Sequence, residues 1–239
     1  MLPIERPGKI VCVGLNYHAH AEEQGRPVPD HPILFAKWPT SLVGPGDPIL
    51  LPPPEVTRAV DAEAELGVVI GSRVKAVSAE NALEAVRGYL CANDVSARDV
   101  QRADRQFTRA KSFDTFCPVG PELVPAAEVP DPQALTIRGL VNGEVRQESH
   151  SGRMSVTIPE ILSNFSALGY SPGDVLSTGT VSGVAGFKSP EERARLYLKP
   201  GDVIEAEIER IGVLRNPVVS WQEAHGEPAP PRIRPWGDA

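Results

Sequence analysis

The sequence is poor in cysteine and has no long apolar run. Its three cysteines, Cys12, Cys91 and Cys117, are an odd number at wide spacing in apolar surroundings. Neither a disulfide framework nor a zinc site is indicated, so we expect reduced packing residues. No stretch approaches the roughly 18 consecutive apolar residues of a membrane-spanning helix, and the N-terminus lacks a secretory signal pattern. We therefore expect a cytoplasmic protein with no membrane partner.

Positive charge is also scarce. The formal net charge is -7, and no basic block offsets it, which argues against a nucleic-acid partner. An acidic balance does not exclude a small anionic substrate, provided that a metal cation or local basic groups hold it.

Turn-forming residues, by contrast, are abundant. The 239 residues include 25 prolines and 21 glycines, which fall between short apolar runs and predict many short strands. Two alternating runs around Asn142-Gly143 predict a hairpin. Helical patterns cover the segments 18–25, 78–89 and 155–168.

This pattern predicts a strand-rich α+β fold in one domain over residues 1–222. Residues 223–239 are rich in proline, so we expect them to form an extended tail.

An acidic stretch leads into one of the apolar runs. "VDAEAELGVVIG" places Asp61, Glu63 and Glu65 at alternate positions, which on a strand share one face about 6.5 to 7 Å apart at Cα. The pattern fits a solvated edge strand, an acid/base pair, or a site for a hard cation such as Mg²⁺, Mn²⁺ or Ca²⁺. Asp94, where another apolar run turns polar, either adds a third ligand or bonds its own backbone in a turn.

A histidine and a glutamate share one face of the first predicted helix. His20 and Glu23 are three residues apart, and a carboxylate beside an imidazole fixes its tautomer and raises its basicity. The pair is therefore a candidate general base, although an incidental pair on an exposed helix would have the same spacing. His18 is the competing histidine.

Five motifs occur in one order along the chain: "EAELGVVIG", "NDVSARDVQ", "KSFDTFCPVGP", "STGT" and "LKPGDVIEAEIERIGVLRNPV". Together they resemble the fumarylacetoacetate hydrolase family over about residues 9–218. The resemblance implies a mixed β-sandwich-roll fold, a homodimer, and Mg²⁺ or Mn²⁺ held by Glu63, Glu65 and Asp94. Asp61 falls outside this ligand set, so we expect it beside the ligands or at the surface.

The resemblance also implies roles for other polar residues. "NYHAHAEE" resembles the segment on which small members of the family carry a His/Glu pair that activates water, which makes His20 and Glu23 catalytic. Lys111 is expected to face the metal-bound substrate, where a cation stabilises a developing oxyanion. Contacts with the substrate are expected from Gln101, Thr180 and Lys37.

These last four side chains also have ordinary explanations: a solvated lysine, an exposed amide, a hydroxyl bonded within its own turn, and a packing residue. The neighbouring Arg98 and Asp99 are expected to brace their loop as an ion pair.

The function that we rank first is hydrolysis of a C–C bond in an acylpyruvate-type 2-oxo acid, because the His/Glu pair supplies a base for water. Isomerisation, tautomerisation or decarboxylation of a related 2-oxo diacid comes next, together with sugar-acid hydrolase or lyase chemistry. A non-catalytic metal-binding protein is the most distant alternative. The segment Val181–Tyr197 lacks a proline common in small members and is longer and more charged than expected, so the substrate stays open.

Overall fold

Short strands dominate residues 1–226, the part of the chain that the structure, a computed structural model, describes. In chain order the strands are β1 (Ile10–Gly14), β2 (Ile33–Lys37), β3 (Leu42–Val43), β4 (Ile49–Leu51), β5 (Val60–Asp61), β6 (Ala64–Ile70), β7 (Val86–Asn93), β8 (Ser96–Ala97), β9 (Cys117–Pro125), β10 (Thr136–Val141), β11 (Glu144–His150), β12 (Val175–Ser177), β13 (Val203–Ile208) and β14 (Gly212–Ser220). The prediction of a strand-rich α+β fold is confirmed.

The helices are short and connect the strands. They are α1 (His18–Glu23), α2 (Arg98–Asp104), α3 (Thr108–Lys111), α4 (Ile158–Phe165), α5 (Pro190–Leu196) and α6 (Trp221–His225). Short 3₁₀ helices supplement them, including Ala79–Ala85 and Ala185–Phe187. No helix among the described residues is long and apolar enough to cross a membrane.

Two mixed sheets pack against each other. The larger has the order β2-β1-β12-β6-β7-β9-β3, and the smaller has the order β11-β10-β13-β14-β4. Strands β6, β7 and β9 of the larger sheet lie against β10, β13 and β14 of the smaller one. The pair β5-β8 stands apart from both sheets, next to the ends of β6 and β7.

Strand β6 is the central element because it contributes to a core on each of its faces. All seven of its residues are buried. Leu66, Val68 and Ile70 join the core between the two sheets, whereas Val69 joins a second core behind the larger sheet. Each such side chain contributes about 1.5–3 kcal/mol when fully buried. This two-sided burial explains the unbroken apolar run in the sequence.

The local signals for turns and caps hold in the structure. Asn142 and Gly143 have φ values of 55° and 76° and join β10 to β11, as a two-residue hairpin turn requires. Thr157 and Glu160 form a capping box at the start of α4. Cys12, Cys91 and Cys117 are buried free thiols, as expected.

Two predicted boundaries are wrong. The helical pattern of residues 78–89 gives a 3₁₀ helix only as far as Ala85, and β7 begins at Val86 because this segment pairs with β6. At the C-terminus, Trp221–His225 form α6, capped by Ser220, so residues 223–225 are helical rather than an extended tail. The remainder of the predicted tail, residues 227–239, lies outside the described residues.

Candidate active site

Three buried carboxylates meet where the strand pair β6-β7 ends. Glu65 belongs to β6, Asp94 follows β7, and Glu63 precedes β6. The backbone holds them together, since the Asp94 N–H donates to the Glu63 carbonyl at 2.8 Å and the Asn93 side chain accepts from the Glu63 N–H at 2.8 Å. One carboxylate oxygen from each lies within 4.8 Å of the others.

The acidic stretch is not the single strand that its alternation suggests. Asp61 is the last residue of β5. Ala62 and Glu63 belong to no strand, and β6 begins at Ala64. Asp61 is buried beside the ligands, so the surface position is excluded. Its carboxylate accepts from Arg98 Nε at 2.9 Å and from the backbone N–H groups of Ala185 and Gly186 at 3.1 and 2.9 Å.

Two of the three carboxylates are paired with buried cations. Lys111 Nζ lies 2.6 Å from Glu63 and 2.5 Å from Asp94, and Lys37 Nζ lies 2.5 Å from the other Asp94 oxygen. Arg98 binds Glu63 at 2.5 Å. Burial opposes ionisation of Glu63, but Arg98 and Lys111 together hold its pKa well below the usual range.

Glu65 differs because no cationic side chain within residues 1–226 binds it. Its carboxylate accepts from Ser177 Oγ at 2.5 Å and from the Gly179 N–H at 3.0 Å. Burial first, and then the Asp94 and Glu63 charges, raise the pKa of Glu65 to about 8. Gly179 has φ +97°, and a Cβ there would lie 2.9 Å from the Asn16 Cβ, so this close approach requires glycine.

The carboxylate cluster fits a hard divalent cation. Its ligand set is all oxygen, as Mg²⁺, Mn²⁺ and Ca²⁺ prefer, and its three carboxylates converge within 4.8 Å. A cation would also supply the counter-charge that Glu65 lacks.

The histidine and glutamate of α1 form a fixed pair. His20 Nδ1 lies 2.6 Å from Glu23 Oε1, and the other oxygen of Glu23 accepts from the Gly183 N–H at 2.9 Å. His20 is buried, and the edge of its ring meets the ring of Phe187 at 5.7 Å between centroids. The competing His18 is exposed.

A cavity of about 560 Å³ joins these groups. It is lined by the three carboxylates together with His20, Lys111, Gln101, Thr180, Phe35, Phe107 and Phe187. Glu23 lies behind His20 and does not line the cavity. This volume is ordinary for a small-molecule site.

The three expected substrate contacts have different positions. Gln101 lines the cavity, and its Oε1 accepts from Arg98 at 3.1 Å. Thr180 also lines it, but its hydroxyl donates to the Ala64 carbonyl at 3.0 Å and accepts from Gln147 at 2.8 Å. Lys37 is not in the cavity wall, because it lies behind Asp94.

The predicted ion pair between Arg98 and Asp99 is wrong. Arg98 turns inward to Asp61 and Glu63. Asp99 instead accepts from the Thr57 hydroxyl at 2.5 Å and from the Arg58 N–H at 2.9 Å.

Gly183 and Gly186 were missed as site residues because the contacts that place them are distant in the sequence. Glu23 meets Gly183 across 160 positions, and Asp61 meets Gly186 across 125. Such pairs have no local signal. Ser177 and Gly179 could have been found, since both lie in the "STGT" motif beside Thr180.

Known proteins resemble this chain in sequence and in fold. The family model for the fumarylacetoacetate (FAA) hydrolase C-terminal domain matches residues 9–219. The chain is 46% identical over 224 residues to the mitochondrial oxaloacetate tautomerase FAHD2A of Bos taurus, covering 92% of this chain and 69% of that protein.

Two solved structures are similar at a TM-score of 0.79. One is a 5-carboxymethyl-2-hydroxymuconate delta-isomerase from Mycobacterium smegmatis, with 42% identity over 91% of this chain and 80% of that one. The other is a 2-hydroxyhepta-2,4-diene-1,7-dioate isomerase from Mycobacterium marinum, with 41% identity over 92% of this chain and 77% of that one. The fold, the carboxylate cluster and these matches together place the chain in the fumarylacetoacetate hydrolase family.

Proposed function

We propose that the protein is a metal-dependent tautomerase or isomerase of a 2-oxo acid. The observation that carries the proposal is that His20, held by Glu23, lines the same cavity as the three buried carboxylates. A base and a site of charge stabilisation therefore face one bound molecule. Hydrolysis, ranked first from the sequence, moves to second place because the bovine relative is a tautomerase and the two solved relatives are isomerases.

His20 is the proposed base. Gln24 Nε2 lies 2.8 Å from His20 Nε2 and Glu23 lies at Nδ1. An amide nitrogen only donates and a carboxylate only accepts, so this network assigns the ring proton to Nδ1. The lone pair is then on Nε2, where it accepts from Gln24. We propose that a bound substrate displaces this amide, after which Nε2 can take a proton from the carbon beside the 2-oxo group and return it at another position.

Loss of that proton leaves an enolate, whose charge must be stabilised. Lys111 lines the cavity, and its three ammonium protons are directed to Glu63, Asp94 and Ser96 Oγ. We propose that its positive charge stabilises the developing oxyanion. Mg²⁺ or Mn²⁺ bound by Glu63, Glu65 and Asp94 would add Lewis-acid stabilisation of the same charge.

The remaining polar residues orient the substrate. Gln101 presents an amide to the cavity, and Thr180 presents a hydroxyl. We propose that Gln101 donates to a substrate oxygen through its amide nitrogen. Thr180 would do so by giving up its bond to the Ala64 carbonyl, and we propose that Lys37 acts instead by neutralising Asp94 from behind.

The test follows tautomers by NMR. Metal-stripped protein is incubated with oxaloacetate, a hydroxymuconate-type diacid, acetylpyruvate and fumarylpyruvate, with and without Mg²⁺ or Mn²⁺. We expect metal-dependent exchange of enol and keto forms with the carbon skeleton intact. Metal without protein is the control for background reaction.

Other products would replace the proposal. Metal-dependent release of pyruvate and a carboxylic acid would establish the hydrolase, which the His20–Glu23 pair also permits by activating water. Release of CO₂ from oxaloacetate would establish a decarboxylase. Tight metal binding with no turnover of any 2-oxo acid would favour a non-catalytic protein.

Assembly and location belong to the same proposal. A homodimer is expected from the family, and sedimentation equilibrium would test it. The cytoplasmic location stays a prediction, since the bovine relative is named as a mitochondrial protein.

A further inference from the structure

The cavity has two ends of opposite character. At its inner end the carboxylates and their cationic partners are buried. At its outer end three exposed arginines, Arg26, Arg102 and Arg105, belong to the lining. We call these three residues the cationic mouth.

The charges of the cationic mouth are not balanced by neighbouring acids. The acids that line the cavity are Glu63, Glu65 and Asp94, all at the inner end. Within residues 1–226, none of the three arginine side chains forms an ion pair or a side-chain hydrogen bond. Asp104, which adjoins Arg105, is bound to Arg109 instead.

Helix α2 connects the two ends in a regular order. Arg98, Gln101 and Arg102 are spaced at i, i+3 and i+4, which puts them on one face of the helix. Arg105 is the residue that ends the helix, outside its regular backbone, and all four residues line the cavity. With a rise of 1.5 Å per residue, this row extends about 10 Å from Arg98 outward. The row begins at the guanidinium that binds Glu63 and ends in the mouth.

The backbone at Arg105 is unusual. This residue closes α2 with φ +56°, in the left-handed region, where glycine is the common choice. The left-handed backbone turns the chain at the end of the helix, and the Arg105 side chain lines the cavity there.

We propose that the cationic mouth, with Arg102 and Arg105 as its main contacts, binds a second carboxylate of the substrate, so that the enzyme selects 2-oxo diacids over monoacids. This inference rests on the proposed function, because the 2-oxo acid end must be anchored at the inner site. Guanidinium forks match carboxylates in shape as well as charge.

Two acids of equal length, one with a second carboxylate and one without, distinguish a carboxylate-binding subsite from general attraction of anions. Calorimetry with the Mg²⁺-loaded protein compares 2-oxoglutarate with 2-oxopentanoate, which carries a methyl group in place of the second carboxylate. We expect the wild type to prefer the diacid about tenfold or more. In the variant R102Q/R105Q the preference should fall to near unity while binding of the monoacid is retained.

Matched variants complete the test. R73Q/K75Q removes an equal charge from exposed sites outside the cavity, so it should keep the preference. R102K/R105K keeps the charge without the planar fork and should restore part of it.

An unchanged preference in R102Q/R105Q, or equal binding of the two acids by the wild type, would overturn the subsite alone. If the loaded wild type bound neither acid, the 2-oxo acid function itself would fail, and the subsite with it.

Discussion

The floor and the wall of the cavity are built in different ways. The floor consists of Glu63, Glu65 and Asp94, which stand at the ends of two paired core strands and are fixed by several buried bonds. The part that we call the wall is the six-residue helix α1, in which His20 lines the cavity and Glu23 lies behind it. Within the described residues, one hydrogen bond, from the Gly183 N–H to Glu23, ties this pair to the opposite loop.

This difference separates charge stabilisation from proton transfer. The floor is set by the same strand pairing that stabilises the fold, so its geometry should change little during turnover. The His20–Glu23 pair is held by fewer hydrogen bonds than the floor, so we expect it to adjust to a ligand more readily. Variants of the two regions should therefore damage different steps.

The largest effect is expected for Asp94→Asn in the floor. The change removes a ligand charge and leaves Lys37 and Lys111 buried with less compensation. Metal affinity should fall by at least about 100-fold, and turnover should be lost with it. Titration of Mn²⁺ by calorimetry measures the first. Asp99→Asn, outside the cavity, is the control, and retained metal binding in Asp94→Asn would contradict the ligand assignment.

The next effect is expected for His20→Ala in the wall. Loss of the base should lower kcat by about 10²–10⁴-fold, whereas metal affinity should stay unchanged because His20 is not a ligand. His18→Ala removes an exposed histidine two positions away and should have no effect on kcat. Equal kcat in His20→Ala and wild type would remove His20 from the mechanism.

A smaller effect is expected for Glu23→Gln. The amide keeps the size of the side chain but holds the imidazole less firmly and no longer favours its charged form. We expect kcat to fall roughly 10- to 100-fold, with the rate maximum shifted in its pH profile. A change confined to metal affinity would contradict the division between wall and floor.

A further effect, on stability rather than on rate, concerns the metal-free floor. The pKa of Glu65 is about 8 in the folded protein against an ordinary value of 4.5. The folded state therefore retains a proton that the unfolded state has released, so the free energy of unfolding should fall as pH rises from about 5 to 8.

Thermal melts of metal-free protein across this pH range measure that loss, at about 2–4 °C per kcal/mol. Glu65→Gln cannot release a proton and should remove this part of the decline. If both proteins showed the same slope, the floor without metal would not be strained by Glu65.

Local chemistry was the predictable part of the fold. The pair Asn142-Gly143 predicts its turn because few residue pairs accept two positive φ values. The apolar run of β6 likewise predicts a buried strand. By contrast, residues 86–89 continue a helical pattern but form β7, because pairing with β6 outweighs local preference.

The site was predictable where a sequence motif contains the clustered carboxylates. It was less predictable where contacts between distant segments set the position of a side chain. Glu63, Glu65 and Asp94 do converge, although Glu63 is not in the strand that suggested the pair. The positions of Lys37 behind Asp94 and of Asp61 under the loop at Ala185 depend on packing between distant segments. The alternation of apolar and polar residues and the spacing of motifs do not predict such packing.

The position of β1 bears on how the protein is made. This first strand pairs in parallel with β12, so that Ile10 lies beside Val175. A ribosome adds roughly 5–20 residues per second, so about 8 to 33 s pass between the appearance of the two strands. Until then β1 lacks one neighbour, and Ser177 and Gly179 are not yet present to hold Glu65. The nascent chain therefore cannot complete its carboxylate cluster until Gly179 has been synthesised.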